Sequence, residues 1–242
     1  MKKSLSGPKL LLGLFIGSFL SLLSVPTASA QTNLPHIGVT WGTGTYSGWT
    51  PGASNYRIGA DGRTYELISP IEYTGLFAKV TIQEFRFDDD PIVYNNILVQ
   101  NTTAANQIYT IDISMPTIFS APNQFRGSVH TSIIGTAATI STIGGSPIYS
   151  AQIDFSTVRT LQNSPFSLST PQDAGGASAA FGWDLNNVPV TSSMGIQLRF
   201  QLSPGATAAI ISDFEIAAIP EPGTLTILLL GGGILIWRCK RR

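Results

Sequence analysis

Two stretches of this chain alternate apolar and polar side chains with a period of two. Tyr109, Ile111, Ile113 and Met115 are interleaved with Thr110, Asp112 and Ser114, and Ile196, Leu198, Phe200 and Leu202 with Gln197, Arg199, Gln201 and Ser203. Successive side chains of an extended strand point to opposite faces, so each stretch offers one face to a core and one to water. The run 76–87 changes phase: Val80 and Ile82 fall in one register, Phe85 and Phe87 in the other. Only an inserted residue keeps all four on one face, so a β-bulge is expected near Gln83-Glu84. Further strands are expected at residues 37–41, 64–68, 93–100, 128–134, 138–143, 148–153, 179–185 and 210–216. Turn residues such as Asp61-Gly62, Gly144-Gly145-Ser146-Pro147 and Gly175-Gly176 separate them. No long stretch of residues 31–219 carries helical periodicity, so the crossover helices of a parallel α/β sheet are missing. About eleven short strands predict an all-β fold, a single antiparallel β-sandwich of jelly-roll-like type.

The two ends read differently. Met1-Lys2-Lys3 and Lys9 precede an apolar run from Leu10 to Val25, and Ala28-Ser29-Ala30 then supplies a small-x-small exit. This is the pattern of a secretory signal peptide, residues 1–30, cleaved by signal peptidase so that the mature chain begins at Gln31. At the other end Pro220-Glu221-Pro222-Gly223-Thr224 leads into an apolar run from Leu225 to Trp237, followed by Arg238, Cys239, Lys240, Arg241 and Arg242. A helix over that run spans ~20 Å at 1.5 Å per residue, whereas a bilayer core of ~30 Å wants about 20 residues. The segment is marginal as a lasting anchor, and its basic end is expected to stay cytoplasmic. A short hydrophobic helix with a basic stop suits a transient halt at the membrane, later removed.

Between these ends, residues 31–219 carry seven Lys and Arg against thirteen Asp and Glu, a net charge of −6. So few and so scattered basic residues exclude a nucleic-acid partner. The only cysteine, Cys239, lies in the tail, so the secreted part must be stabilised by core burial rather than disulfides.

The tail resembles the PEP-CTERM sorting signal of Gram-negative bacteria, cyanobacteria included. Pro220, Glu221 and Pro222 match the recognition motif of that family, and Arg238, Lys240, Arg241 and Arg242 its basic end. The resemblance covers residues 220–242 and implies a route: export, recognition by a membrane-embedded exosortase, and arrival at the cell surface or extracellular matrix. The family is tied to exopolysaccharide and biofilm formation, but its globular domains vary, so no activity is implied. Phe87 to Met115 is also similar to a stretch that recurs in such proteins, where two strands and a polar turn form a hairpin.

Catalytic patterns are missing. The two histidines, His36 and His130, are far apart and read as strand or surface residues, and no nucleophile elbow, metal-binding helix or phosphate loop occurs. Glu66, Glu72, Glu84 and Asp184 are the candidates for a carboxylate pair of the kind a glycosidase needs. Asp88-Asp89-Asp90 before Pro91 offers hard oxygen ligands suited to Ca²⁺; otherwise it is a solvated charged turn, and no other cofactor is expected. Trp41, Tyr46, Trp49 and Tyr56, set among Gly, Thr and Ser, form a candidate platform for sugar rings; alternatively Trp41 and Tyr56 are core residues. Trp183 is assigned to the core. Asn101-Thr102-Thr103 matches an N-glycosylation pattern, of little weight in a bacterium. The resulting expectation is a non-enzymatic, structural or adhesive protein of the surface or matrix that meets exopolysaccharide. A lectin-like binding module is the second expectation, and an extracellular polysaccharide hydrolase the third.

Overall fold

In the strand that runs through residues 78–88, Ile82 is the Cα partner of Ile97, but the next partner of Asn96 is Glu84, which leaves Gln83 unpaired. This bulge is the one expected from the phase change. It turns Ala78, Val80, Ile82, Phe85 and Phe87 into the interior together, and leaves Gln83, Glu84 and Arg86 exposed. The computed structural model describes residues 35–42, 47–49 (backbone only), 51–62, 64–88, 91–170 and 174–219. All belong to the second of the two units into which the chain divides, Asn33–Arg242. The proposed signal peptide, with Ala28, Ala30 and Gln31, and the tail from Pro220 to Arg242 lie outside the described residues.

Sixteen strands are present among the described residues. In chain order the first six are β1 (His36–Trp41), β2 (Ser47–Trp49), β3 (Tyr56–Ile58), β4 (Tyr65–Leu67), β5 (Ile71–Thr74) and β6 (Ala78–Asp88). The next five are β7 (Ile92–Asn101), β8 (Gln107–Pro116), β9 (Asn123–Ile134), β10 (Thr139–Ser141) and β11 (Tyr149–Ile153). The last are β12 (Ser156–Leu161), β13 (Ser167–Ser169), β14 (Ala174–Asn186), β15 (Ser193–Leu202) and β16 (Thr207–Ala218). All pairings are antiparallel and build two sheets. The first has the order β12-β11-β15-β8-β1-β2, with β10 beside β15 and β13 beside β10. The second has the order β14-β9-β16-β7-β6-β4-β3, with β5 also on β6.

The expected strands are all found, and β2, β3, β5, β12 and β13 are additional. Four of these five are only three or four residues long, and β12 is an edge strand with no apolar alternation to announce it. The hairpin expected within Phe87 to Met115 is a correction: β7 and β8 belong to different sheets, and β7 instead pairs with β6. Asn101 holds the crossover between them. Its fully buried amide donates to Ala105 O at 2.7 Å and Leu202 O at 3.0 Å, and its Oδ1 accepts from Thr103 N at 2.9 Å. The side chain caps a crossover between sheets, and its nitrogen is committed and inaccessible to glycosylation in the folded protein.

Inward-facing residues of both sheets join one hydrophobic cluster, which includes Ile37, Tyr109, Ile111, Leu198 and Phe200 from the first and Val80, Phe87, Ile97, Ile210 and Phe214 from the second. Tyr149 of β11 crosses from the first sheet and donates its hydroxyl to Asp213 O of β16 at 2.8 Å. Gly127 on β9 makes room for it: a Cβ there would lie 2.6 Å from the Tyr149 hydroxyl. The β11–β12 turn places two non-glycine residues, Asp154 and Phe155, at φ of 50° and 63°. The Asp154 carboxylate stabilises it by accepting bonds from the Thr191, Ser192 and Ser193 backbone N–H groups and from two hydroxyls. Burial pushes this carboxyl up, but the bonds from Ser193, Thr191 and Ser192 outweigh it and hold the group well below the usual carboxylate range.

A candidate polysaccharide-binding face

The outward side of the second sheet carries a row of polar residues that runs across six strands. Cα pairing aligns Arg57 (β3) with Glu66 (β4), Glu66 with Arg86 (β6), Arg86 with Tyr94 (β7), Tyr94 with Asp213 (β16) and Asp213 with Ser128 (β9). At ~4.8 Å per strand the row is about 24 Å long. A second row beside it aligns Asp88, Ile92, Glu215 and Arg126. The bulge at Gln83 makes this possible: without it, Glu84, Arg86 and Asp88 would turn inward and Phe85 and Phe87 would face water.

Two shallow depressions lie along these rows. One of about 440 Å³ is lined by Tyr94 and Ile92, by Arg86 and Arg126, and by the carboxylates Glu84, Asp88 and Glu215. The other, of about 510 Å³, shares Arg86 and extends over Arg57, Glu66 and Thr64. Opposite charges interlock within the face. Arg57 Nη2 lies 2.7 Å from Glu66 Oε2, Arg86 Nη2 3.1 Å from Asp88 Oδ2, and Arg126 Nε 2.6 Å from Glu215 Oε2. Ser128 Oγ donates to Asp213. Burial, and after it the negative charges of Glu84 and Asp213, raise the pKa of the Tyr94 phenol, so it remains a protonated donor.

Trp183 borders the Arg126 end. A second bulge, between Phe181 and Asp184 on β14, turns Phe181 inward against Phe125 and leaves Trp183 41% exposed. The Arg126 guanidinium lies 4.6 Å from the centre of its ring. This corrects the assignment of Trp183 to the core. The preceding Gly182, a residue that often marks a strand irregularity, was the available signal.

Other candidate residues fall elsewhere. Trp41 and Tyr56 are buried, with 5% and 9% exposure, against Tyr73 and Phe85 respectively. Burial pushes the Tyr56 phenol up to about 12. The two are core residues, which removes them from the proposed sugar platform. Tyr46 and the Trp49 side chain lie outside the described residues. Glu72 pairs with Lys79 at 3.0 Å and Asp184 with Arg159 at 2.6 Å, so the four hydrolase candidates stand on four strands and three are held in ion pairs. His130 is an exposed residue of β9 whose Nδ1 lies 2.7 Å from Ser178 Oγ, and His36 is exposed on β1. Asp88 belongs to the face described above, while Asp89 and Asp90 lie outside the described residues. Among the described residues no three His, Cys, Asp or Glu are grouped to hold a metal ion.

The face thus sets three arginines, each paired with a carboxylate, beside the Tyr94 ring in the row and the Trp183 ring at its border. No protein-family model matches this chain, and no curated protein is similar to it.

Proposed function

We propose that this protein is exported, directed to the cell surface or biofilm matrix by its PEP-CTERM-like tail, and serves there as a non-enzymatic structural or adhesive component that holds polysaccharide. The observation that carries the binding reading is the transverse row in which Tyr94 stands between Arg86 and Asp213. A hydrolase would instead need two carboxyls converging on one bond. Glu66, Glu72 and Asp184 are each engaged by a cation, so binding is the better reading of this face.

The same proposal includes a jelly-roll sandwich. Two sets of four strands support it, β7-β16-β9-β14 in one sheet and β8-β15-β11-β12 in the other. From β7 onward the chain passes between the two sheets at β7–β8, β8–β9, β9–β10, β13–β14, β14–β15 and β15–β16, as two interlocked Greek keys demand.

Two measurements test the proposal. Intact mass of the protein recovered from its host is expected to show a chain that starts at Gln31 and ends near Pro220-Glu221-Pro222; a species retaining Leu225 to Arg242 refutes the sorting route. In affinity electrophoresis through the host's own exopolysaccharide, the protein should be retarded, and Tyr94→Ala and Trp183→Ala should relieve the retardation. Unchanged mobility of both variants removes the face as the binding site.

A further inference from the structure

The electrostatics of this face identify the kind of polysaccharide it takes. Its arginines are already paired, Arg86 with Asp88 and Arg126 with Glu215. Two carboxylates are left without a cation among the described residues. Glu84 makes no ion pair there, and Asp213 is bonded by the Ser128 hydroxyl. Both act on Tyr94: each contributes a negative charge that raises its phenol pKa. Asp213 is the cross-strand partner of Tyr94, and Glu84 lies two positions along β6 from Arg86, the partner on the other side.

Among the described residues, the four carboxylates and two guanidinium groups around Tyr94 leave an excess of two negative charges, within a region of residues 31–219 whose net charge is −6. A uronic-acid or sulfated chain laid along the row would meet like charge at Glu84 and Asp213. An uncharged chain would draw nothing from their charge. A chain with ammonium groups would pair with them, and the surrounding field would draw it in.

We propose that the face binds a polysaccharide bearing free amino groups, with its sugar rings packed against Tyr94 and its ammonium groups paired with Glu84 and Asp213. This inference rests on the polysaccharide-binding reading and narrows it to one class of ligand. Capping the amines by acetylation removes the charge while keeping the chain, so it isolates the electrostatic contribution.

The test uses the full-length chain and three soluble probes: a β-1,4-linked glucosamine oligomer, its fully N-acetylated counterpart and a uronic-acid oligomer, each titrated by calorimetry at low and high salt. The expected result is saturable binding of the glucosamine oligomer that weakens with salt, weaker binding of the acetylated form, and none of the uronate. Glu84→Gln should lower affinity for the amine-bearing oligomer by about two- to fivefold, the effect of losing one exposed ion pair. Its affinity for the acetylated oligomer should not change. Asp112→Asn, the same charge change on the other sheet, is the control and should leave both affinities intact. Equal or tighter binding of the acetylated oligomer overturns the inference but keeps polysaccharide binding. So does an Asp112→Asn loss equal to that of Glu84→Gln, because attraction would then be diffuse. Absence of saturable binding to all three probes overturns the inference, and with unretarded migration in exopolysaccharide it overturns the binding reading as well.

Discussion

Replacing Gly127 by Ala puts the contact between the sheets under direct test. The added Cβ would lie 2.6 Å from the Tyr149 hydroxyl, 2.8 Å from Asp213 O and 3.0 Å from Phe181 Cζ. Tyr149 cannot swing aside easily, since it is fully buried and its hydroxyl is bonded to Asp213 O. Overpacking of this kind costs about 1–3 kcal/mol. The lost freedom of the unfolded chain returns about 0.4–1 kcal/mol, so Gly127→Ala should be destabilised by roughly 1–2 kcal/mol. Tyr149→Phe removes one hydrogen bond and should lose about 0.5–1.5 kcal/mol. If the two sites were independent, the double variant would lose the sum. Here it should lose about 1 kcal/mol less, because deleting the hydroxyl clears the shortest of the three contacts while the other two remain. Urea unfolding followed by tryptophan fluorescence gives all four stabilities. Additivity within about 0.5 kcal/mol, or a Gly127→Ala variant as stable as the parent, would refute the claim that Tyr149 reaches the second sheet at Gly127.

Two more substitutions probe the turns that join the strands. Asp154→Ala removes the acceptor of three backbone N–H groups and should destabilise by about 2–3 kcal/mol at neutral pH. Because folding lowers this carboxyl's pKa, its contribution is complete above the unfolded value of ~3.9 and fades as pH falls through the folded value. Denaturant midpoints of parent and variant should therefore converge on strong acidification, and a gap that widens in acid contradicts the assignment. Asn101→Asp places a carboxylate against the Ala105 and Leu202 carbonyls with no exposure to water, and should lower stability by about 3–5 kcal/mol. Calorimetry should then show Tm falling by roughly 6–20 °C, and a shift under 2 °C would place Asn101 outside the core.

Much of the fold is legible in the sequence because its cause is local. The alternation in β8 and β15, and the phase change that marks the bulge at Gln83, reside in adjacent residues. The destination of β8 does not. The turn after Asn101 contains ordinary hairpin residues, and the change of sheet shows only in distant partners: the bond from Asn101 to Leu202, a hundred and one positions away, and the pairing of β8 with β1 and β15. The candidate face is non-local to a greater degree. Its row joins residues from Arg57 to Asp213, and apart from Glu66, read as a candidate carboxylate, each is an ordinary outward position of its own strand. Composition left two readings open for the cluster of Trp and Tyr between Trp41 and Tyr56, an exposed platform or core residues. Trp41 and Tyr56 occupy inward positions at strand ends and are buried, which is the second of these readings.

The distribution of charge argues that the second sheet, rather than the first, is the working surface. Among the described residues, eleven charged side chains lie on strands of the second sheet and three on strands of the first. Stability alone does not require this asymmetry, because exposed ion pairs each contribute only ~0–1 kcal/mol and a neutral polar surface keeps a sheet soluble as well. Nor does burial require it, since the outward side of both sheets meets the same solvent. What the asymmetry does produce is a set of directional donors and acceptors held in register by the strand ladder. Two of the three bulges among the described strands act to the same end. Each interrupts the alternation at a position where a side chain, Glu84 or Trp183, would otherwise be on the wrong side of its strand. Bulges break ladder hydrogen bonds and are retained where they re-aim a side chain. Both of these re-aim one toward the same face.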